Sequence, residues 1–223
     1  MLGRITGAVR FKEPLSYHTS LRIGGPAEFF VAAQDIDDVR HTLAFADQED
    51  LPVIMLGGGN NMLVSDRGVQ AVVLKLQGVL GRVQFQGSEV VAGAGVTVSG
   101  LIREAAARDL GGLEAFAGIP ATLGGAVATT ARGATRTFEE ACVAVYFLYP
   151  DGTLGEYRPL PGSSFAEACE PGCVVIGCRF DLPRRPQAEI TKDIQQRLKS
   201  KKATQPFALA SAGYVWKRTP AEE

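Results

Sequence analysis

Histidine is scarce in this sequence, with only two in 223 residues. This scarcity disfavours a site in which several histidines bind a metal ion. An excess of charge of either sign is also lacking, because 23 basic residues face 24 acidic ones and leave a net charge of −1. Such a balance argues against a protein that works mainly on nucleic acid or on an anionic membrane surface.

Long apolar runs are missing as well. No stretch of about 18 apolar residues occurs, which is the length that a membrane-spanning helix needs, and the residues after Met1 do not form the apolar core of a signal peptide. We therefore expect a cytoplasmic protein whose partners include neither a membrane nor nucleic acid.

Cysteine is present four times, but its pattern does not indicate a site. The spacing of Cys169, Cys173 and Cys178 differs from that of a zinc ribbon, and no histidine lies near them. Without an export signal, disulfides are not expected either. We interpret these residues and Cys142 as buried structural thiols and predict no metal site.

Short apolar runs alternate with helical patterns along the chain. The predicted strands are 28–32, 51–56, 62–64, 71–76, 82–85, 89–92, 141–149, 153–157 and 173–182, and the predicted helices are 35–47, 98–109 and 186–202. This order is typical of α+β or α/β folds. It also predicts a boundary between two subdomains near residues 76–81.

Glycine is abundant, with 26 residues, and three glycine-rich segments follow or join predicted strands. The first is Gly57-Gly58-Gly59-Asn60-Asn61, where glycines allow backbone N–H groups to converge on an anion. It is neither a dinucleotide-binding fingerprint nor a Walker A loop, and a simple tight turn is the alternative. Its two asparagines favour phosphate binding.

The other two segments are Gly93-Ala94-Gly95, which a bulge would explain equally well, and residues 118–126. The latter is almost uncharged, and its glycines argue against a stable helix. Such a loop must satisfy its own backbone polar groups, and a large polar cofactor lying against it would do so. Together the three segments indicate an extended cofactor that contains phosphate.

The catalytic inventory is otherwise poor. His18 and His41 are isolated from any serine or cysteine nucleophile, and the residues around Ser163 and Ser164 do not form a nucleophile elbow. The residues alone therefore indicate a binding site more clearly than a reaction.

Four segments occur in an order and spacing that resemble one flavoenzyme family, and they are residues 16–27, 56–64, 93–95 and 112–126. The family is UDP-N-acetylmuramate dehydrogenase, also called UDP-N-acetylenolpyruvoylglucosamine reductase. The resemblance implies an α+β, two-subdomain FAD-binding fold of the vanillyl-alcohol-oxidase/PCMH type. Residues 1–77 and 78–205 would form the two subdomains, and residues 206–223 would be a remnant of the entry to a substrate domain that is absent.

The resemblance also implies which residues contact FAD. The residues that match the family's cofactor-binding positions are Arg22, Gly57, Gly58, Gly59, Asn60, Asn61, Gly93, Ala94, Gly95, Gly118, Ile119, Pro120, Thr122, Gly124 and Gly125. NADPH, which supplies the hydride in the family during peptidoglycan precursor synthesis, would be a cofactor only if this chain is catalytically active.

The catalytic half departs from the family pattern. Tyr214 stands where the family has the serine or cysteine that protonates the substrate carbanion, although Lys217 is kept. A phenol can donate a proton, but its oxygen lies several Å further out than that of a serine. The family's substrate arginine has no clear equivalent, since Arg158 comes too early in the sequence.

Three hypotheses follow from the resemblance. The preferred one is an FAD-binding homologue without normal reductase activity, which acts as a binding or regulatory module. The alternatives are an active NADPH-dependent reductase and a split enzyme, in which a protein partner supplies or replaces the missing substrate domain. A version that has lost even FAD is a variant of the first.

Overall fold

Two β-sheets form the framework of the protein in a computed structural model, which describes residues 2–160, 164–165 and 169–204. The first sheet has four strands in the order β1-β2-β4-β3, and the second has five in the order β5-β6-β9-β7-β8. The strands of the first sheet are β1 (Ala8–Pro14), β2 (Pro26–Ala33), β3 (Val53–Met55) and β4 (Val69–Leu76). Those of the second are β5 (Val83–Gln86), β6 (Glu89–Gly93), β7 (Ala144–Leu148), β8 (Leu154–Tyr157) and β9 (Val174–Asp181). The α-helices are α1 (Ile36–Gln48), α2 (Val98–Ala106), α3 (Leu123–Ala128) and α4 (Gln187–Thr204).

The first sheet is parallel except at one edge. Strand β4 pairs in parallel with β2 and β3, whereas β1 pairs antiparallel with β2. The connection from β2 runs through α1, whose N-terminus is capped by the Asp35 carboxylate accepting the N–H of Asp38 at 2.9 Å. Because parallel strands end at a common edge, the loops that follow β3 and β4 leave the sheet on the same side.

The second sheet is antiparallel throughout, with β9 at its centre between β6 and β7. Strand β9 is buried along almost its whole length, as its apolar sequence predicts. The chain passes from the first sheet to the second through a 3₁₀ turn at Gly78–Gly81. The division of the chain at residues 77/78 remains a prediction.

One hydrophobic core spans both sheets. Val31 and Leu74 of the first sheet belong to the same buried cluster as Val90 and Phe180 of the second. A smaller cluster, which includes Leu15, fills the opposite face of the first sheet. The junction between the sheets is therefore packed and can hold loops from both in fixed positions. None of the helices in the described ranges is long and apolar enough to cross a membrane.

Two sequence-based predictions of local structure were wrong, and one strand was missed. Residues 62–64 form no strand, because they pair with no neighbour, and Val64 instead packs into the smaller cluster. The glycine-rich segment does contain a helix, α3, since Leu123, Ala126 and Val127 are buried and tertiary packing outweighs the low helix propensity of glycine. Strand β1 was missed because it is largely exposed and charged, as edge strands often are.

Candidate cofactor site

The loop that follows β3 presents unused hydrogen-bond donors. Within the described ranges, the N–H groups of residues 57–61 donate to no acceptor of the chain. Two carbonyl groups of the loop are engaged, because Gly59 C=O accepts the Ser20 N–H at 3.0 Å and Gly58 C=O accepts Asn60 Nδ2 at 3.0 Å. Successive free N–H groups offer partial positive charge, which suits an anion such as a pyrophosphate.

A second segment, residues 15–25, packs against this loop at Gly59 and is called the strap below. The strap is closed by hydrogen bonds from Leu15 N–H to Gly25 C=O and from Ser16 N–H to Gly24 C=O, both at 3.1 Å. Gly59 has φ +66°, and a Cβ at this position would lie only 2.0 Å from the carbonyl oxygen of His18. Glycine is therefore required here for both backbone conformation and close approach.

The His18 side chain anchors the strap to the first sheet. Its ring stacks on Phe30 with a centroid separation of 4.4 Å, and its Nε2 lies 2.9 Å from Glu13 Oε1. Burial raises the pKa of Glu13, but hydrogen bonds from His18 and Arg10 outweigh that effect, so the pKa lies below its ordinary value. The carboxylate thus remains ionised at neutral pH and holds the imidazole in place.

The opposite wall of the site is the segment that leads into α3. A Cβ built on Gly57 would lie 2.6 Å from Thr122 Oγ1, and one built on Gly58 would lie 3.7 Å from the Pro120 carbonyl oxygen. The Thr122 hydroxyl caps α3 by accepting the Gly125 N–H at 3.3 Å. Two of the predicted glycine-rich segments therefore face each other at the junction of the sheets.

The backbone N–H of Thr122 adds a further free donor on this wall. In the part of the chain that is described, it donates to no acceptor, whereas the neighbouring Leu123 N–H donates to Val96 C=O at 2.8 Å. Unused donors thus occur on both of two segments that lie against each other.

The third predicted segment, residues 93–95, has a different character. Its N–H groups all donate at 2.9 Å to backbone carbonyls, namely those of Arg82, Ile176 and Leu80. Cβ atoms on Gly93 and Gly95 would lie 2.1 Å from Leu80 O and 2.4 Å from Leu76 O. These glycines are explained by close packing of the backbone between the two sheets. A contact of Gly93, Ala94 or Gly95 with a cofactor remains a prediction.

The remaining predicted residues lie around these walls. The Gly124 N–H donates to Ala94 C=O at 2.9 Å, so residues 93–95 support α3 from the side of the second sheet. Arg22 is an exposed residue of the strap with φ 56°. Gly118, with φ +81°, lies against helix α4. The Ile119 N–H donates to Phe116 C=O at 3.1 Å.

Some predicted positions lie outside the described residues, and one residue that contacts the loop was not predicted. Tyr214 and Lys217, together with the whole of residues 206–223, lie outside them. Sequence reasoning assigned no role to Ser20, whose N–H and hydroxyl both contact Gly59 C=O. Its position in a motif shared with the family was the available signal.

A family model described as an FAD binding domain matches residues 27–157. This range contains both walls of the site and residues 93–95. The class of protein that the fold and site define is therefore a protein with an FAD-binding domain.

More similar proteins narrow this class. UDP-N-acetylenolpyruvoylglucosamine reductase 2 of Symbiobacterium thermophilum is 34% identical over 222 residues, which cover 98% of this chain and 72% of that protein. The crystal structure of UDP-N-acetylenolpyruvylglucosamine reductase (MurB) from Thermus caldophilus has a TM-score of 0.83 and 31% identity, covering 96% of this chain and 76% of that one. The chain belongs to the UDP-N-acetylenolpyruvoylglucosamine reductase family, as the resemblance implied.

A more distant structure supports the fold alone. BBE-like 1 of Physcomitrella patens has a TM-score of 0.61 at 15% identity, and it covers 82% of this chain and 43% of its own. The predicted α+β fold of the FAD-binding, PCMH type is confirmed.

Proposed function

We propose that the chain binds FAD against the adjoining residues 57–61 and 118–125, with the pyrophosphate on the N–H groups of the first loop. The observation that carries this proposal is the row of N–H groups at residues 57–61 that donate to nothing else in the described structure. The loop fits such a group, because it consists of glycines and asparagines and its backbone N–H groups are not used by the described part of the chain.

FAD, when bound, supplies hydride transfer, a chemistry that amino-acid side chains lack. The residues of the chain would bind and orient it. The loop after β3 would neutralise the pyrophosphate, the strap would keep that loop in position, and Thr122 with α3 would close the opposite side. All of these groups are held by the junction of two sheets, which favours a preorganised site.

We further propose that the chain does not by itself carry out the family's reduction at a normal rate and that it acts as a binding or regulatory module. Tyr214 supports this view, since it replaces the family's serine or cysteine acid. Displacement of a general acid by several Å removes most of its contribution, which is typically about 10²- to 10⁴-fold in rate.

An active or split reductase is the second candidate. Similarity to a reductase over 98% of this chain favours it, as does the retained Lys217. In that case NADPH would supply the hydride, and a protein partner would complete the substrate site if one polypeptide does not suffice. Either function is compatible with the cytoplasmic location that we propose.

The test measures the visible absorbance of bound flavin and the rate of NADPH oxidation. The purified chain, supplied with FAD, is expected to show the absorbance of bound oxidised flavin. With NADPH and UDP-N-acetylenolpyruvoylglucosamine, substrate-dependent NADPH oxidation is expected to be at least about 10²-fold slower than that of the Thermus caldophilus enzyme, because general acid catalysis is impaired.

Tyr214→Ser is the matched variant for this assay. It restores the short hydroxyl of the family and is expected to raise the substrate-dependent rate without changing FAD binding. A colourless protein that gains no flavin spectrum would contradict FAD binding. A wild-type rate equal to that of the Thermus caldophilus enzyme would instead establish the second candidate.

A further inference from the structure

Helix α4 lies against the outer side of the segment that forms one wall of the proposed FAD site. Its first half is anchored, because Ile190 is only 1% exposed and the N–H of Gln187 donates to Asp109 Oδ1 at 2.8 Å. Arg185, just before the helix, joins Glu114 and Asp193 through hydrogen bonds of 2.9 Å each. The helix is thus fixed at one end and extends toward Gly118 at the other.

The second half of α4 contacts the site segment through Lys201 and Leu198, and Lys201 forms a hydrogen bond to it. Lys201 Nζ donates to the Gly118 carbonyl oxygen at 2.5 Å. The same side chain packs on Gly118, where a Cβ would lie 3.0 Å from Lys201 Cδ and 3.1 Å from Leu198 Cδ2. Burial lowers the pKa of Lys201, and the nearby charge of Arg197 lowers it further. The ammonium group is therefore partly withdrawn from water and directed at the backbone.

Gly118 stands at a sensitive position in the chain. Its φ is +81°, and because glycine has no Cβ its backbone can adopt many other conformations as well. Only a few residues further on, Pro120 and Thr122 form the wall that faces Gly57 and Gly58. A shift at the Gly118 carbonyl would therefore move the residues that lie against Gly57 and Gly58 in the proposed FAD site.

We propose that Lys201 is a positioning residue for FAD, which holds the Gly118 carbonyl from outside and so sets residues 118–122 against the loop of residues 57–61. This inference rests on the proposed function, but Lys201 itself is not assigned to the cofactor. Its role is to restrain a glycine that would otherwise move.

The test compares Lys201→Met with two controls. Lys201→Arg keeps a charged donor, and Lys199→Met removes an exposed lysine of the same helix. FAD affinity is measured by titration with flavin fluorescence, and the environment of the bound flavin by circular dichroism in the visible range. Lys201→Met is expected to weaken FAD binding about tenfold, since a charge-assisted hydrogen bond contributes enough free energy for such a change. Lys201→Arg is expected to restore most of the affinity and the spectrum, and Lys199→Met to leave both unchanged.

A second readout works without FAD. Hydrogen exchange of the Ile119 and Leu123 amides, both bonded in the structure, is expected to accelerate in Lys201→Met while the exchange of the strands stays unchanged. Equal FAD affinity and equal exchange in Lys201→Met and wild type would overturn the inference. If the wild type binds no FAD, the proposed function fails, whereas exchange at these two amides still decides whether Lys201 restrains the segment.

Discussion

Gly59→Ala is expected to lower FAD affinity by about 10²-fold or more. A left-handed conformation costs an L-residue roughly 1–2 kcal/mol, and forcing a methyl group into a packed site adds about 1–3 kcal/mol. The methyl carbon would lie 2.0 Å from the His18 carbonyl oxygen, so either the strap or the loop has to move. Movement of the loop would displace the free N–H groups of residues 57–61, and movement of the strap would weaken the Ser20 hydrogen bond that holds Gly59 C=O. Isothermal titration of FAD into the variant measures the effect.

Gly87→Ala is the matched control for this substitution. Gly87 has φ +64°, almost the same as the +66° of Gly59, but a Cβ there would have nothing within 4 Å. It therefore carries the conformational cost without the clash, and it is expected to cost only about 1–2 kcal/mol of stability and to leave FAD affinity unchanged. If the two variants bound FAD equally well, the tight contact between loop and strap would have no role in binding.

Asp38→Ala is expected to reduce the free energy of unfolding by about 3 kcal/mol or more. The Asp38 carboxylate is 1% exposed and accepts the N–H groups of Thr6 at 2.7 Å, Gly7 at 3.0 Å and Gln34 at 2.8 Å. Alanine would leave three donors without their acceptor, and a hydrogen bond to a charged group is typically worth about 1.5–3 kcal/mol. Denaturant unfolding of both proteins measures the difference.

The effect of Asp38 is expected to depend on pH. Burial raises the pKa of this carboxyl, but the hydrogen bonds from Gln34 and Thr6 outweigh burial and lower the pKa below its ordinary value. Its contribution is therefore complete above the pKa of the unfolded chain and is lost as the pH falls through the lowered pKa of the folded protein. The stability difference between wild type and Asp38→Ala should shrink in acid.

Asp37→Ala is the control for the same helix. The Asp37 side chain is 72% exposed and forms a surface ion pair with Arg40, which is typically worth about 0–1 kcal/mol. A loss at Asp38 no larger than that at Asp37, or one that did not change with pH, would contradict the assigned role of the buried carboxylate.

Most elements of the fold were predictable because their apolar patterns are strong. The helix at residues 36–48 has apolar residues at helical spacing and an aspartate cap, and β9 is a continuous apolar run. Strand β1 and helix α3 were not predictable by the same means. Strand β1 is largely exposed, and its pairing with β2 rather than an apolar pattern makes it a strand. Helix α3 depends on the burial of three side chains rather than on local helix propensity.

The site shows the limit of sequence reasoning more clearly. Residues 57–61 and residues 93–95 read alike, since both are glycine-rich and follow a strand. They differ in where their N–H groups go, because the second segment donates to carbonyls from distant parts of the chain, such as Ile176. Long-range hydrogen bonds of this kind leave no local signal. The Lys201 contact with Gly118 also joins positions far apart in sequence.

Amide hydrogen exchange, read residue by residue with and without FAD, tests the central claim most directly. The account predicts that FAD slows the exchange of the N–H groups of residues 57–61 and of Thr122, which are free in the described structure. Residues 93–95 should gain no further protection, because their N–H groups are already bonded. Protection confined to residues 93–95, with no change at residues 57–61, would contradict the claim.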